Sequence, residues 1–84
     1  MNKVLVEIVI PAIYDHFDIF APVDVPIGEI TGIIASGVAE LTNDKYIVSK
    51  SEHLCLKEPV AGPLNPELCL QDYGIKDGTQ LYLI

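Results

Sequence analysis

The sequence predicts an α+β fold, in which a mixed sheet of four to five strands carries one helix across one of its faces. Apolar residues alternate with a period of two near both ends of the chain, and between these segments they recur every three or four residues. The predicted order is β-β-α-β-(β)-β within a single domain of residues 1–84. This order requires a sheet whose last strand inserts next to the first.

The first two strands are predicted to form an antiparallel hairpin. Residues 4–10 alternate, and one of their two faces is entirely apolar. After a connection at 11–15, longer than the tight two-residue kind, a second alternating run continues until Pro22. The second face of the first strand consists of Leu5, Glu7 and Val9. The apolar face of the second strand consists of Phe17, Ile19 and Ala21, opposite to His16, Asp18 and Phe20.

A helix is predicted over residues 26–41, with Pro26 suited to its first position and Asn43 suited to its termination. Gly32 and Gly37 each lower its intrinsic stability by roughly 1 kcal/mol, so packing must hold it. We expect these two glycines to let the helix approach the sheet closely. The predicted apolar stripe consists of Ile27, Ile30, Ile34, Val38 and Leu41, with Ile33 beside it.

The second half of the chain gives weaker signals. Ile47 and Val48 are predicted to be extended, as are residues 53–57, with Leu54 and Leu56 facing inward and His53, Cys55 and Lys57 facing outward. Residues 58–66 are rich in proline and are predicted to form a mobile connection. The last strand is predicted at 79–84, where leucines alternate with Tyr82 and Ile84. This succession of elements is that of a β-grasp.

The charge of the chain argues against a nucleic-acid partner. The sequence has 12 Asp and Glu residues against 5 Lys, which gives a formal net charge of −7. Because affinity for phosphates comes largely from Lys and Arg, this protein would repel a polyanion. Most of the excess lies in residues 1–44, whose net charge is −6. We therefore expect an acidic field on the N-terminal half.

Cysteine usage and hydropathy bear on the compartment. Cys55 and Cys69 are too few and too widely spaced for a zinc module or a disulfide framework, which favours two free thiols in a reducing compartment. The longest uncharged run, residues 30–39, would span about 15 Å as a helix, whereas a bilayer core measures about 30 Å. We therefore expect a cytoplasmic protein that does not insert directly into a membrane.

Two groups of residues resemble known ubiquitin-like sequences. The segment Leu70-Gln71-Asp72-Tyr73-Gly74-Ile75, followed by Leu81-Tyr82-Leu83, is similar to the end of ubiquitin. Together with it, Phe17-Asp18-Ile19, Pro22 and the Pro26-Ile27 entry to the helix resemble the YukD/EsaB family, the small ubiquitin-like proteins of bacterial type VII secretion systems. The resemblance implies a ubiquitin-like β-grasp with no catalysis and no cofactor. It also implies a cytosolic accessory role beside a membrane-embedded secretion machine.

The same resemblance implies a structural role for Tyr73. In the ubiquitin-like pattern, the equivalent tyrosine holds the preceding loop through a hydrogen bond from its hydroxyl to a backbone group. A buried or half-buried tyrosine hydroxyl normally finds such a partner. We therefore expect Tyr73 to stabilise the fold and to take no part in binding.

Metal binding and nucleophilic catalysis are both disfavoured. His16 and His53 lie far apart in the sequence and lack the paired spacing of a zinc motif. A nucleophile formed by Cys55 or Cys69 with His53 would need a hydrogen-bonded pair beside an oxyanion site, which the spacing does not provide. We expect no catalytic residue and no metal site.

The predicted functional site is the sheet face that the helix leaves uncovered. It is expected to bind a protein, either a cytosolic part of the secretion apparatus or its regulator, and an edge strand leaves room for a weak homodimer. The chain shown ends without Gly-Gly, so conjugation is disfavoured; the alternative is a modifier or sulfur carrier whose C-terminal tail is missing from it. The predicted binding patch consists of Leu5, His53, Cys55, Tyr82 and Ile84.

Overall fold

The computed structural model describes residues 2–56 and 62–84. Within these residues, four strands form one mixed sheet in the order β2-β1-β4-β3. The central strand β1 pairs antiparallel with β2 and parallel with β4, and β4 pairs antiparallel with β3. The α+β prediction is confirmed, including the insertion of the last strand beside the first. The elements are β1 (Lys3–Ile10), β2 (Asp15–Pro22), α1 (Ile27–Leu41), β3 (Leu54–Leu56) and β4 (Thr79–Leu83).

The hairpin connection is longer than a two-residue turn, as predicted. A short 3-10 turn at Pro11–Ile13 leads to Tyr14, which has a φ of 52°. The backbone N–H of Tyr14 donates a hydrogen bond to the carbonyl oxygen of Pro11 at 3.2 Å. Ile10 and Asp15 are therefore the last paired residues on either side of the connection.

The core lies between α1 and the inner face of the sheet. Four of the five predicted stripe residues, Ile27, Ile30, Ile34 and Val38, are buried. Leu41 is 65% exposed, so its assignment to the core was wrong. Its angular position on α1 matches that of the stripe, so its exposure shows that burial along the stripe ends after Val38. The sheet residues that are fully buried here include Val6, Ile8, Ile10, Leu54, Leu81 and Leu83.

The prediction for the helix glycines was also wrong. Among the described residues outside the backbone of α1 itself, a Cβ placed on Gly32 or Gly37 would meet no atom within 4 Å, so neither glycine permits a close approach to the sheet. The close approach occurs at Gly28 instead. A Cβ there would lie 3.1 Å from Cβ of Pro66 and 3.3 Å from its carbonyl oxygen, which accepts a hydrogen bond from the Gly28 N–H.

The helix ends at the predicted place through a Schellman motif. Asn43 has a φ of 52°, and its N–H donates to the carbonyl oxygen of Glu40 at 3.3 Å. The N–H of Asp44 donates to the carbonyl oxygen of Ala39 at 2.8 Å. These two bonds satisfy carbonyl groups that the last turn would otherwise leave without partners.

The segment after the helix is held by side chains and contains no strand at Ile47 and Val48, where extended structure was predicted. The hydroxyl of Tyr46 donates to Oε2 of Glu52 at 2.9 Å, and the N–H of Ser49 donates to the same oxygen at 2.7 Å. Partial burial opposes the negative charge of Glu52. The bonds from Ser49 and Tyr46 nevertheless outweigh this effect and hold the pKa of the Glu52 carboxyl below its ordinary value.

The same interactions act on Tyr46 in the opposite direction. Burial, the hydrogen bond to Glu52 and the charge of that carboxylate raise the pKa of Tyr46 to about 12. All three causes disfavour the phenolate. Tyr46 is therefore a neutral donor that closes the segment 46–52 onto itself.

The predicted extension of β3 to Lys57, and residues 58–61 of the predicted mobile connection at 58–66, lie outside the described residues. The described end of that connection is paired with β3. Pro63 forms an isolated bridge with Cys55, and the N–H of Leu64 donates to the carbonyl oxygen of Leu54 at 2.8 Å. The side chain of Leu64 is buried in the core, so this part is a structural element and not a simple linker.

Candidate protein-interaction site

The sheet face opposite α1, called the open face below, is formed by alternate residues of each strand. On β1, the buried residues alternate with the half-buried Leu5, Glu7 and Val9. The strand register then fixes their neighbours across the sheet. Phe20 lies opposite Leu5; Asp18 and Gln80 flank Glu7; His16 and Tyr82 flank Val9; and Cys55 lies opposite Tyr82.

Four of the five predicted patch residues lie together at one end of the open face. Cys55 pairs with Tyr82 across β3 and β4. His53 and Ile84 follow in register, because each donates its N–H to the carbonyl oxygen of the other, at 2.8 and 2.9 Å. Val9 lies on the other side of Tyr82 and completes the group. The Tyr82 cluster, as it is called below, consists of Val9, His53, Cys55, Tyr82 and Ile84.

Leu5 does not belong to this cluster. It lies four residues before Val9 on the same strand, which corresponds to about 13 Å. Its cross-strand neighbour is Phe20, which is 67% exposed. The predicted five-residue patch is therefore two separate apolar groups, because Leu5 is on the predicted face but at the wrong end of it.

A polar row separates the two groups. Nδ1 of His16 lies 3.0 Å from Oε2 of Glu7, and the side-chain amide of Gln80 donates to Oε1 of the same carboxylate. Asp18 lies opposite Glu7 on β2. Both oxygens of Glu7 are thus engaged, and the row gives the middle of the open face an acidic and ordered surface.

A shallow groove of about 410 Å³ extends the Tyr82 cluster towards the hairpin connection. Tyr14 stands at its rim and is 98% exposed. Its positive φ lies in a region that favours glycine and asparagine, so a tyrosine here is unusual. Tyr14, Val9 and Phe20 were not among the residues predicted for the patch. The alternation already places Val9 and Phe20 on this face, whereas only the fold brings Tyr14 towards it.

A second groove lies on the other side of the molecule, between α1 and residues 48–52. It measures about 820 Å³. We call it the helix groove. Its lining on α1 consists of Gly28, Glu29, Thr31, Gly32, Ile33, Ser36, Gly37 and Glu40, and its lining on the following segment consists of Val48, Lys50 and Glu52.

The residues considered for metal binding or catalysis lie in separate parts of the fold, except His53 and Cys55, which both belong to the Tyr82 cluster. Cys55 and Cys69 are free thiols, both half-buried. His16 pairs with Glu7, whereas His53 belongs to the Tyr82 cluster. Within residues 2–56 and 62–84, no group of three or more His, Cys, Asp or Glu side chains could hold a metal ion.

The predicted hydrogen bond between the Tyr73 hydroxyl and a backbone group is confirmed. Its hydroxyl accepts a hydrogen bond from the backbone N–H of Asn65 at 2.9 Å. Tyr73 ends the 3-10 turn at Leu70–Tyr73, in which the Asp72 carboxylate accepts a bond from the N–H of Cys69 at 2.8 Å. The tyrosine thus ties the segment before this turn to the turn itself.

The sequence matches no protein-family model and no curated protein, whereas solved structures match the fold over its full length. The ubiquitin-like domain of the type VII secretion system protein EccD1 from Mycobacterium tuberculosis is similar, with 20% sequence identity, a TM-score of 0.78, and coverage of 100% of this chain and 99% of that chain. The EccD5 ubiquitin-like domain from Mycobacterium xenopi gives 21% identity, a TM-score of 0.73, and coverage of 100% and 94%.

A third structure, the MycP5-free ESX-5 inner membrane complex, contains a chain that is 16% identical, with a TM-score of 0.79. The match covers all of this chain but 21% of that one, so the similar part of that larger chain is a domain. In the part of this protein that the structure describes, no helix has the length and hydrophobicity needed to cross a membrane. The fold is that of a ubiquitin-like β-grasp domain. Its similarity to domains of type VII secretion proteins is the starting point for a functional proposal.

Proposed function

We propose that this protein is a non-enzymatic, ubiquitin-like accessory protein of a bacterial type VII secretion system, of the YukD/EsaB kind. It acts in the cytoplasm by docking onto a protein and not by conjugation. The partner is a cytosolic part of the secretion apparatus or its regulator. Two observations support the proposal: the motifs shared with that family, and a fold similar to the ubiquitin-like domains of EccD1 and EccD5.

The docking surface is proposed to be the Tyr82 cluster. It joins an exposed isoleucine, Ile84 at 65% exposure, to half-buried apolar side chains on two further strands. Interfaces concentrate their binding energy in a few such residues, and tyrosine is enriched among them. The polar row at Glu7 forms one border of the cluster, as expected for the rim of an interface.

The charge of the open face suggests the character of the partner. Glu7 and Asp18 lie opposite each other on this face, whereas Asp15 lies opposite the buried Ile10 and Asp24 follows β2 closely. Such a field accelerates association with a basic surface and disfavours an acidic one. We therefore propose a partner segment with apolar residues that cover Tyr82 and with basic residues at its edge.

The test is an affinity capture from native cell lysate with three forms of the protein as bait. These are the unchanged chain, Tyr82→Ala, and Phe20→Ala as a matched control that removes an exposed aromatic from the other end of the open face. Captured proteins are identified by mass spectrometry, and thermal unfolding verifies that all baits are folded. If Tyr82 is a central residue, its loss weakens binding about 30-fold, equivalent to about 2 kcal/mol.

Recovery of secretion-system components by the unchanged and Phe20→Ala baits, but not by Tyr82→Ala, would support the proposal. Equal recovery by all three baits would contradict the docking surface. Recovery of an adenylating enzyme would contradict the accessory role and favour a modifier or sulfur carrier. The intact mass of the native protein would then reveal any C-terminal extension or adduct.

A further inference from the structure

The helix groove lies on the opposite side of the molecule from the open face, and the proposed function makes no use of it. Its floor consists of backbone and small side chains of α1, where Gly28, Gly32 and Ser36 follow one another at four-residue intervals. Residues so spaced lie above one another along one side of a helix. The adjacent row of the helix contains Ile33, which is 70% exposed, and Gly37 four residues later.

The packing of this molecule gives no reason for two of these glycines. Each glycine inside a helix costs about 1 kcal/mol relative to alanine. Gly28 is explained by its contact with Pro66, whereas in the described part of the chain no atom outside the backbone of α1 lies within 4 Å of a Cβ at Gly32 or Gly37. The space above both glycines is the groove itself. A close approach of another backbone from outside the molecule would require this space to be empty.

The charges around the groove indicate the sign of what enters it. Three carboxylates, Glu29, Glu40 and Glu52, line it together with Lys50. Glu52 is engaged by Tyr46 and Ser49, but among the described residues neither Glu29 nor Glu40 forms an ion pair. Glu29 and Glu40 are 11 residues apart on the helix, which places them about 16 Å apart near its two ends. The groove therefore has a carboxylate towards each end of α1, small residues and Ile33 between them, and Lys50 on the facing segment.

These features favour an α-helix as the occupant. The floor of the groove is a helix whose backbone groups are already hydrogen-bonded, so an extended peptide would find no strand edge to pair with. A helix satisfies its own backbone, and small residues at four-residue spacing allow two helices to approach closely. A second copy of this chain is disfavoured, because it would bring a net charge of −7 against an acidic rim.

We propose that the helix groove is a second docking site, which receives an amphipathic α-helix of a partner protein with lysine or arginine at both ends of its contact face. The partner helix packs its small and apolar residues over Gly32 and beside Ile33. Its basic residues reach Glu29 and Glu40. This site is separate from the open face, so the protein has two binding surfaces on opposite sides of its core.

The test is an NMR titration of the ¹⁵N-labelled protein with a designed helical peptide. The probe is a capped peptide of about 18 residues built from alanine and leucine, with lysines about 11 residues apart on one face to match the spacing of Glu29 and Glu40. A second peptide carries glutamate in place of lysine. The protein variants are Gly32→Leu, which places an apolar side chain in the groove, the double variant Glu29→Lys/Glu40→Lys, and Tyr82→Ala as a control on the open face.

The expected result is that the lysine peptide shifts the amide signals of residues 28–40 and 48–52. Gly32→Leu and the double variant should each weaken binding by about tenfold or more. Gly32→Leu should melt no lower than the unchanged protein, which excludes unfolding as the cause, and Tyr82→Ala should bind as the unchanged protein does. Absence of binding at millimolar peptide, shifts confined to the open face, equal binding by Gly32→Leu, or equal binding of the glutamate peptide would each overturn the proposal. None of these outcomes would affect the open-face proposal, which the Tyr82→Ala capture tests independently.

Discussion

At the scale of single residues, two tyrosine hydroxyls fix the irregular segments of this chain. Tyr73 holds Asn65 before the last 3-10 turn, and Tyr46 holds Glu52 after the helix. The role of Tyr73 could be predicted, because the segment that contains it resembles the end of ubiquitin. The second could not, because the segment 46–52 has no periodicity and its structure depends on one side-chain pair.

The bond at Tyr73 gives a prediction for stability. Tyr73→Phe removes the acceptor of the Asn65 N–H and should lower the free energy of unfolding by about 1 kcal/mol. Urea denaturation of both proteins measures this difference. Tyr14→Phe is the matched control, since Tyr14 is 98% exposed, and it should leave the stability unchanged. An equal effect of both substitutions would show that the bond contributes nothing.

The pair formed by Tyr46 and Glu52 predicts a dependence on pH. The pKa of Glu52 is lower in the folded protein than its ordinary value of 4.5, so its contribution to stability is present above this value and is lost as the pH falls. Glu52→Ala should therefore destabilise the protein at pH 7, and the difference should shrink as the pH falls below 4.5. Urea denaturation across this range measures it, with the exposed Glu67→Ala as control. A difference that stays constant with pH would contradict the role of the charge.

The raised pKa of Tyr46 predicts the opposite trend in alkali. Because its folded value of about 12 lies above the ordinary value of 10.0, the contribution of Tyr46 is complete below pH 10 and is lost as the pH rises through 12. Tyr46→Phe should be less stable than the unchanged protein at pH 7, and this difference should diminish in the alkaline range. The absorbance of the phenolate, followed with pH, would identify a tyrosine that ionises at unusually high pH. If this late ionisation were still seen in Tyr46→Phe, the assignment to Tyr46 would be contradicted.

At the scale of elements, α1 shows which features of a helix its sequence determines. The apolar period predicted its buried residues, and Asn43 marked its end because few residues adopt a positive φ readily. The role of each glycine could not be predicted. A glycine in a helix signals a cost, but only the fold shows whether a neighbour occupies the space it leaves, as Pro66 does at Gly28.

The glycines of α1 give a paired prediction. Gly37→Ala should raise the free energy of unfolding by about 0.5–1 kcal/mol, because alanine favours the helix and meets no atom within 4 Å. Gly28→Ala should lower it by about 1 kcal/mol or more, because the new Cβ meets the rigid ring and the backbone oxygen of Pro66. Thermal and urea unfolding of both variants measures the two signs. Stabilisation by Gly28→Ala would show that residue 66 moves aside freely.

At the scale of the whole molecule, the order of segments sufficed to predict the sheet. With a single helix and an alternating last strand, there are few arrangements that cover the apolar faces of the strands. The grouping on the open face was harder to predict. Alternation assigns Leu5 and Tyr82 to the same face, but only the register shows that Glu7 and Gln80 lie between them. The helix groove depends on the segment 48–52, which carries no regular pattern.

The central position of β4 predicts a large effect of one core substitution. Leu81 is fully buried and lies beside Ile8 in the register, so Leu81→Ala should cost about 2–5 kcal/mol. Small domains have about 5–15 kcal/mol in total, so the variant should melt far lower. Leu41→Ala removes the same atoms from a side chain that is 65% exposed and should have little effect. Comparable losses in calorimetry would contradict the placement of one of the two leucines.

The pairing of β1 with β4 also constrains when the protein can fold during its synthesis. β1 is synthesised before the other described strands, and its parallel neighbour, residues Thr79–Leu83, is synthesised after them. Until β4 has been made, the sheet is incomplete. β1 then has β2 as its neighbour on one edge and no strand on the other. The nascent chain therefore cannot form its native core until translation has passed Leu83, and during this interval its exposed apolar residues are a target for chaperones.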